Sequence, residues 1–208
     1  YAVGKGNKSF IVLDGKEGKK YDWADIPIFS PNSQHFAYAV GKGNKSFIVL
    51  DGKEGKKYNW VDSPTFFSPD GQHLAYVARE GNKEFVVLDG KEGKRYDDVY
   101  PFTFDPDTFS PDGKHFAYLA SEGIVLDGKE IKKYGEVYSP IFSPDSQHFA
   151  YWAEKDNKYF IVLDGKEGKK YSKVYSPIFS PNSQHLTYIA REGKKAFVVL
   201  DGKEGEKY

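Results

Sequence analysis

Short apolar runs separated by clusters of Gly, Pro, Ser, Asn and Asp recur along the whole chain. Residues 140–175 show the parts of one unit. Pro140-Ile141-Phe142-Ser143 predicts a short first strand, ended by the turn Pro144-Asp145-Ser146-Gln147. His148-Phe149-Ala150-Tyr151-Trp152-Ala153 predicts a second strand, and Tyr159-Phe160-Ile161-Val162-Leu163 a third, with a polar turn between them. Asp164-Gly165 then opens a hairpin, because Gly accepts a positive φ without steric cost. Lys169-Lys170-Tyr171 starts a predicted fourth strand that leads toward Val174 and Tyr175. Strands one to three are almost continuously apolar, which implies burial on both faces. The strands of a plain two-sheet sandwich would alternate apolar and polar positions instead. The fourth is Lys-rich, as a solvent-facing edge guarded against stray pairing should be.

The unit repeats. Val-Leu-Asp-Gly-Lys-Glu occurs six times, with its Asp at 14, 51, 89, 127, 164 and 201, and Phe-Ser-Pro followed by Asn or Asp occurs five times. Residues 1–21 and 38–58 are identical. A fixed period near 37 residues marks a repeat architecture, in which each copy buries its faces against its neighbours. No window keeps a 3.6-residue apolar period, so helical repeats are excluded. Four-stranded antiparallel sheets, buried within and charged at the outer edge, predict an all-β fold of the β-propeller class. A linear β-solenoid is the structural rival.

Phe67-Ser68-Pro69-Asp70-Gly71-Gln72-His73-Leu74-Ala75-Tyr76 resembles the hallmark of the WD-like propeller repeat of TolB-type proteins, and Phe109 to Tyr118 matches equally well. Other copies carry Ser33, Ser146 or Ser183 in place of the turn Gly, and Asn32 or Asn182 in place of the Asp. The resemblance covers the whole chain and implies propeller architecture. It also implies a periplasmic or extracellular setting, because such repeats serve in periplasmic scaffolds and in the non-catalytic propellers of some serine peptidases.

The copies predict a single propeller domain over residues 1–208, with a partial blade at 1–21 and blades near 26–58, 63–96, 101–134, 139–171 and 176–208. Six blades with an incomplete first one is the leading arrangement. A five-bladed ring with a surplus segment, or a strand-exchanged ring that self-associates, are the alternatives.

Thirty basic and thirty acidic residues leave no net charge, which argues against a nucleic-acid partner. No cysteine is present, so there is no disulfide, thiolate nucleophile or thiol metal site. No apolar run approaches the ~18 residues of a membrane span. Neither a nucleophile elbow, a zincin motif nor a phosphate-binding loop occurs, and no cofactor is implied. Five histidines, His35, His73, His115, His148 and His185, share one repeat position and are expected to support the adjacent Ser-Pro turn. The Asp of each Asp-Gly pair is expected to stabilise its turn by bonding backbone N–H groups.

The breaks in symmetry carry the candidate sites. An insertion between Tyr96 and Ser110 gathers Asp97, Asp98, Asp105 and Asp107, a weak candidate for calcium, which prefers clustered oxygen ligands. The linkers into each first strand carry Trp23, Trp60, Tyr100, Tyr138 and Tyr175, which would form an aromatic collar for a protein or peptide partner. The expected function is therefore that of a non-enzymatic binding or scaffold propeller. The alternatives are a non-catalytic propeller of a larger hydrolase or peptidase, a carbohydrate-binding propeller, and an engineered repeat protein without a ligand.

Overall fold

The computed structural model describes residues 1–62, 66–100, 108–131 and 134–208. Every strand pairing in it is antiparallel, and apart from the two-part first strands of sheets 2 and 3, consecutive strands within a sheet are neighbours. The chain divides into two compact units, Tyr1–Val99 and Tyr100–Tyr208.

The first unit holds three sheets. Sheet 1 has the strands Ala2–Lys5, Lys8–Leu13 and Lys16–Glu17. In sheet 2, Trp23–Ala24 and Ile28–Phe29 both pair with Phe36–Lys42, which is followed by Lys45–Leu50 and Lys53–Glu54. Sheet 3 repeats this plan with Trp60–Val61 and Phe66–Phe67 on Leu74–Glu80, then Lys83–Leu88 and Lys91–Glu92. The second unit holds sheet 4 (Ala117–Ala120, Gly123–Leu126 and Lys129–Glu130, with Phe109 bridging Phe116). Sheet 5 runs Glu136–Phe142, Phe149–Lys155, Lys158–Leu163 and Lys166–Glu167. Sheet 6 runs Lys173–Phe179, Leu186–Glu192, Lys195–Leu200 and Lys203–Glu204. The chain is thus an all-β protein of propeller-type blades.

Two strand limits differ from those the sequence predicts. The fourth strand is Lys166–Glu167, not Lys169 onward; the chain bulges at Gly168, whose N–H bonds Ile161, and rejoins the sheet only where Tyr171 bridges Tyr159. Val174 and Tyr175 belong to the first strand of the next sheet. That strand begins inside the predicted linker, and its register shifts between Tyr175 and Ile178, as it does between Tyr138 and Ile141 in sheet 5. A proline sits in each shift, Pro140 and Pro177. Having no N–H to give the ladder, proline is accommodated at such irregularities.

Side chains from facing sheets make the core. Ile11, Tyr21, Val40 and Phe47 pack sheet 1 on sheet 2, and Ile48, Tyr58, Tyr76 and Phe85 pack sheet 2 on sheet 3. In the second unit, Phe160 and Tyr151 join sheets 4 and 5, and Tyr171, Tyr188 and Phe197 join sheets 5 and 6. Phe47, Phe85 and Phe160 are wholly buried. Each such ring contributes about 1.5–3 kcal/mol by leaving water.

The six Asp-Gly hairpins have positive φ at both residues, as at Asp51 (49°) and Gly52 (77°). Both values suit a type I′ turn, whose twist matches that of the flanking strands.

Candidate binding site

The first strands share one inward register position: Val61, Val99 and Val174 are almost inaccessible there, and Ala24 and Val137 are half-buried. Strand alternation sends the residues on either side of it to the opposite face. Trp23 and Trp60 stand one place before this position, opposite Gly41 and Arg79. Tyr138 and Tyr175 stand one place after it, opposite Trp152 and Ile189, and Tyr100 likewise follows Val99. The five aromatics expected at one position therefore occupy two, offset by two residues along a shared face. They also lie in the sheets, where the sequence had suggested a loop face.

The exchange is reciprocal. Where the first unit has tryptophan, the second has Glu136 and Lys173; where the second has tyrosine, the first has Asp25 and Asp62. The strips read Trp-x-Asp in sheets 2 and 3, and charged-Val-Tyr from Asp98 onward.

In the first unit the two indoles meet, with ring centroids 5.9 Å apart and planes tilted by 39°. Trp23 lies flat over Gly41: a Cβ there would stand 1.9 Å from the indole Nε1, so only glycine permits this approach. Trp60 faces Arg79 instead and remains 46% exposed. Trp23, Ala24 and Asp25 of sheet 2, with Trp60, Val61 and Asp62 of sheet 3, line a cavity of about 410 Å³. Asp25 accepts a bond from the Ile26 N–H at 2.8 Å, which turns its carboxylate along the strand end. The paired carboxylates are residues that sequence reasoning passed over, although their place two residues after each Trp predicts a common face.

In the second unit Tyr138 stacks on Trp152 at 4.5 Å, and Lys173 holds its ammonium 5.3 Å from the centre of the Tyr159 ring. Tyr100, Tyr138 and Tyr175 remain 55%, 45% and 41% exposed.

The histidines and the hairpin aspartates, weighed separately in the sequence, form one network. His35 Nδ1 lies 2.7 Å from Asp51 Oδ2, while Asp51 Oδ1 accepts the Phe36 N–H. The same pair recurs as His73 with Asp89, His115 with Asp127, His148 with Asp164 and His185 with Asp201. An ionised carboxylate only accepts, so each imidazole donates through Nδ1. Burial opposes ionisation of Asp51, but the bonds from His35 and the Phe36 N–H outweigh it and hold the carboxyl below its ordinary range. At Asp201 the Leu186 N–H is the largest cause and His185 the next, in the same direction.

Beside each histidine, the turn serine accepts the histidine N–H and donates to the Asp or Asn two residues on, as Ser143 does with His148 and Asp145. Two of the Gly-to-Ser exchanges in this turn, Ser146 and Ser183, are explained by the preceding sheet. Ser146 and Ser183 keep a positive φ, and their hydroxyls accept the N–H of Asp112 and Asp145 from the preceding sheet. Gly71 instead leaves room for Asn32, which donates to the Asp70 carbonyl.

The Lys-rich outer edge is also a connector. Tyr21 donates to Glu54 of the next sheet, and Lys19 pairs with the same carboxylate. Lys56 pairs with Glu92, Lys169 with Glu204, and Tyr134 donates to Glu167. The neighbouring cation covers the sheet's own Phe: Lys57 over Phe47, Arg95 over Phe85 and Lys170 over Phe160. Burial pushes the Tyr21 phenol far above its ordinary range, with the Glu54 charge adding to the shift.

Of the calcium candidates, Asp97 pairs with Lys83 at 2.7 Å, and Asp105 and Asp107 lie outside the described residues. Among the described residues no three His, Asp or Glu side chains converge as metal ligands. No described helix is long and apolar enough to cross a membrane.

Blades of this kind, with their repeated turn network, define a β-propeller-type repeat protein. Among solved structures it is similar to TolB from Acinetobacter baumannii, at 20% identity and a TM-score of 0.42, with 95% of this chain and 58% of that one covered. It is also similar to a putative TolB from Agrobacterium tumefaciens (17% identity, TM-score 0.42, 92% of this chain and 83% of that one). Hydrazine synthase from Kuenenia stuttgartiensis is a further similar structure (14% identity, TM-score 0.38, 83% and 60% covered). The chain thus spans well under two thirds of the A. baumannii protein. No family model matches the sequence, and no curated protein matches it either.

Proposed function

We propose that the chain is a non-catalytic binding module that recognises a protein or peptide partner through the first-strand aromatics Trp23, Trp60, Tyr100, Tyr138 and Tyr175. One observation carries this reading. The tyrosines of the outer edge, Tyr21, Tyr58, Tyr96 and Tyr171, are buried to within 2%, whereas Trp60, Tyr100, Tyr138 and Tyr175 are 41–55% exposed at the first strand. Large, nearly rigid aromatic surfaces of this kind are what partner-binding sites use, because they bury much area for little lost side-chain freedom.

Selection of displayed peptides on the full chain tests it. Selected peptides are expected to bind Trp60→Ala more weakly by about thirtyfold or more, the scale of an interface hot spot. The urea midpoint of the variant should stay near that of the parent. Peptides that bind Trp60→Ala, Tyr138→Ala and Tyr175→Ala as tightly as the parent would overturn the reading.

A further inference from the structure

The aromatic strips of the two units differ in charge as well as in position. The cavity between sheets 2 and 3 is lined by two indoles, two carboxylates and two aliphatic side chains, with no Lys, Arg or His among them. Indole faces carry a negative quadrupole, so every polarised group in this lining favours positive charge. Elsewhere the chain supplies such a charge itself. Lys20, Lys57, Lys170, Lys173 and Lys207 all place their ammonium 4.6–5.4 Å from the centre of an aromatic ring. Lys173 does so from the register position that Trp23 and Trp60 occupy in the first unit. Neither tryptophan is covered by a cation among the described cation–ring contacts.

We infer that the pocket of Trp23, Asp25, Trp60 and Asp62 receives a cationic side chain, lysine or arginine, from a peptide partner. The inference rests on the binding-module reading and names the residue class that this one pocket selects. The two indoles touch, so the cation cannot enter between them; it lies over their exposed faces, above all that of Trp60. There Asp25 and Asp62 supply the counter-charge. The volume of about 410 Å³ accommodates one long side chain with its terminal group. Asp25 uses an Oδ1 lone pair on the Ile26 N–H, which fixes the carboxylate while leaving its second oxygen for the ligand.

The test is a titration of the full chain with tetra-lysine, with tetra-glycine and cellotetraose as matched arms, read by calorimetry and by indole emission. Tetra-lysine should bind at least about tenfold tighter than tetra-glycine, and Trp60→Ala should remove that preference. The double variant Asp25→Asn, Asp62→Asn keeps the shape and one accepting oxygen, as for the Ile26 N–H, but not the charge. It should weaken tetra-lysine roughly five- to tenfold with an unchanged urea midpoint, and the loss should shrink as salt is raised. Equal binding of tetra-lysine and tetra-glycine overturns the inference, as does a double variant that binds like the parent. Tighter binding of cellotetraose than of tetra-lysine also overturns it, because the platform would then serve a neutral sugar. If selected peptides depend on Trp60 yet are not displaced by tetra-lysine, the cationic inference fails and the binding module stands. If no selected peptide depends on the exposed aromatics, the module itself fails.

Discussion

Sheets 2 and 3 and sheets 5 and 6 are built from nearly the same repeat, yet their first strands solve one packing problem in opposite ways. In the first unit an indole precedes Ala24 or Val61 and a carboxylate follows it. In the second, a charged residue precedes Val137 or Val174 and a tyrosine follows. The residue across the ladder sets how closely the first strand can be approached. Gly41 leaves bare backbone for Trp23 to cover, while at the matching place sheet 5 has Glu154 and sheet 6 has Arg191. Sheet 3 nevertheless keeps Trp60 opposite Arg79, while in sheet 5 the aromatic stands two residues on, where Tyr138 stacks against Trp152. Gly41 thus determines how closely Trp23 approaches the second strand, and not which strip the first strand displays.

The sharpest way to break this contrast is Gly41→Arg, which installs the side chain found at Arg79 and Arg191. Trp23 must leave its place against the Gly41 backbone, and overpacking of this kind is expected to cost about 2 kcal/mol, read as a lower urea midpoint. The same change at Gly4, where a Cβ would meet nothing within 4 Å, is expected to stay within about 0.5 kcal/mol. Equal losses at the two glycines would show that the indole contact is not what glycine protects.

A smaller effect comes from moving the other strip toward the first. Tyr138→Asp removes the stack on Trp152 and should cost about 1 kcal/mol, the scale of an aromatic pair beyond its area. Chemical denaturation followed by Trp152 emission measures it. No loss would mean that Tyr138 is held there for a partner alone.

Acid should separate the two units least. Asp70 and Asp145 are held below the ordinary carboxylate range, first by the Ser68 and Ser143 hydroxyls and next by the Gln72 and Gln147 N–H groups. A depressed folded-state value stabilises above the unfolded carboxylate range, near pH ~4, and that contribution fades as pH falls through the folded value. Asp70 lies in the first unit and Asp145 in the second, so urea midpoints should fall together below about pH 4. Emission from Trp23 and Trp60 reports on one unit and from Trp152 on the other. A midpoint that drops in only one of them would break the equivalence of their turn networks.

Much of this was legible in the residues, because local chemistry repeats with the sequence. The Asp-Gly hairpins, the Ser-Pro turns and the apolar second and third strands each follow from a few adjacent residues. Partnerships between residues distant in sequence were not legible. His35 and Asp51 stand 16 residues apart, and nothing short of the folded hairpin brings imidazole to carboxylate. The Lys-rich edge was read as mere solvent protection, yet Glu54 receives Tyr21 and Lys19 from the sheet before it. The aromatic strip was legible as composition and not as register. The bulge at Pro140 and the gap at Gly41 shape how each aromatic meets the second strand, and both depend on that neighbouring strand. Gly4 and Gly41 make the same point: identical sequence around them meets empty space in one copy and an indole in the other.

The connectors at the outer edge have a consequence for how such a chain can change in length. Within each unit, neighbouring copies join a carboxylate socket to a Lys–Tyr plug, as Lys56 and Glu92 or Lys169 and Glu204 show. Lys19, Lys56 and Lys169 are interchangeable plugs, whereas the last copy has Glu206 at this place. Copies of the lysine type can be gained or lost without leaving an orphaned charge at the splice, and the duplicated stretches 1–21 and 38–58 carry the same plug.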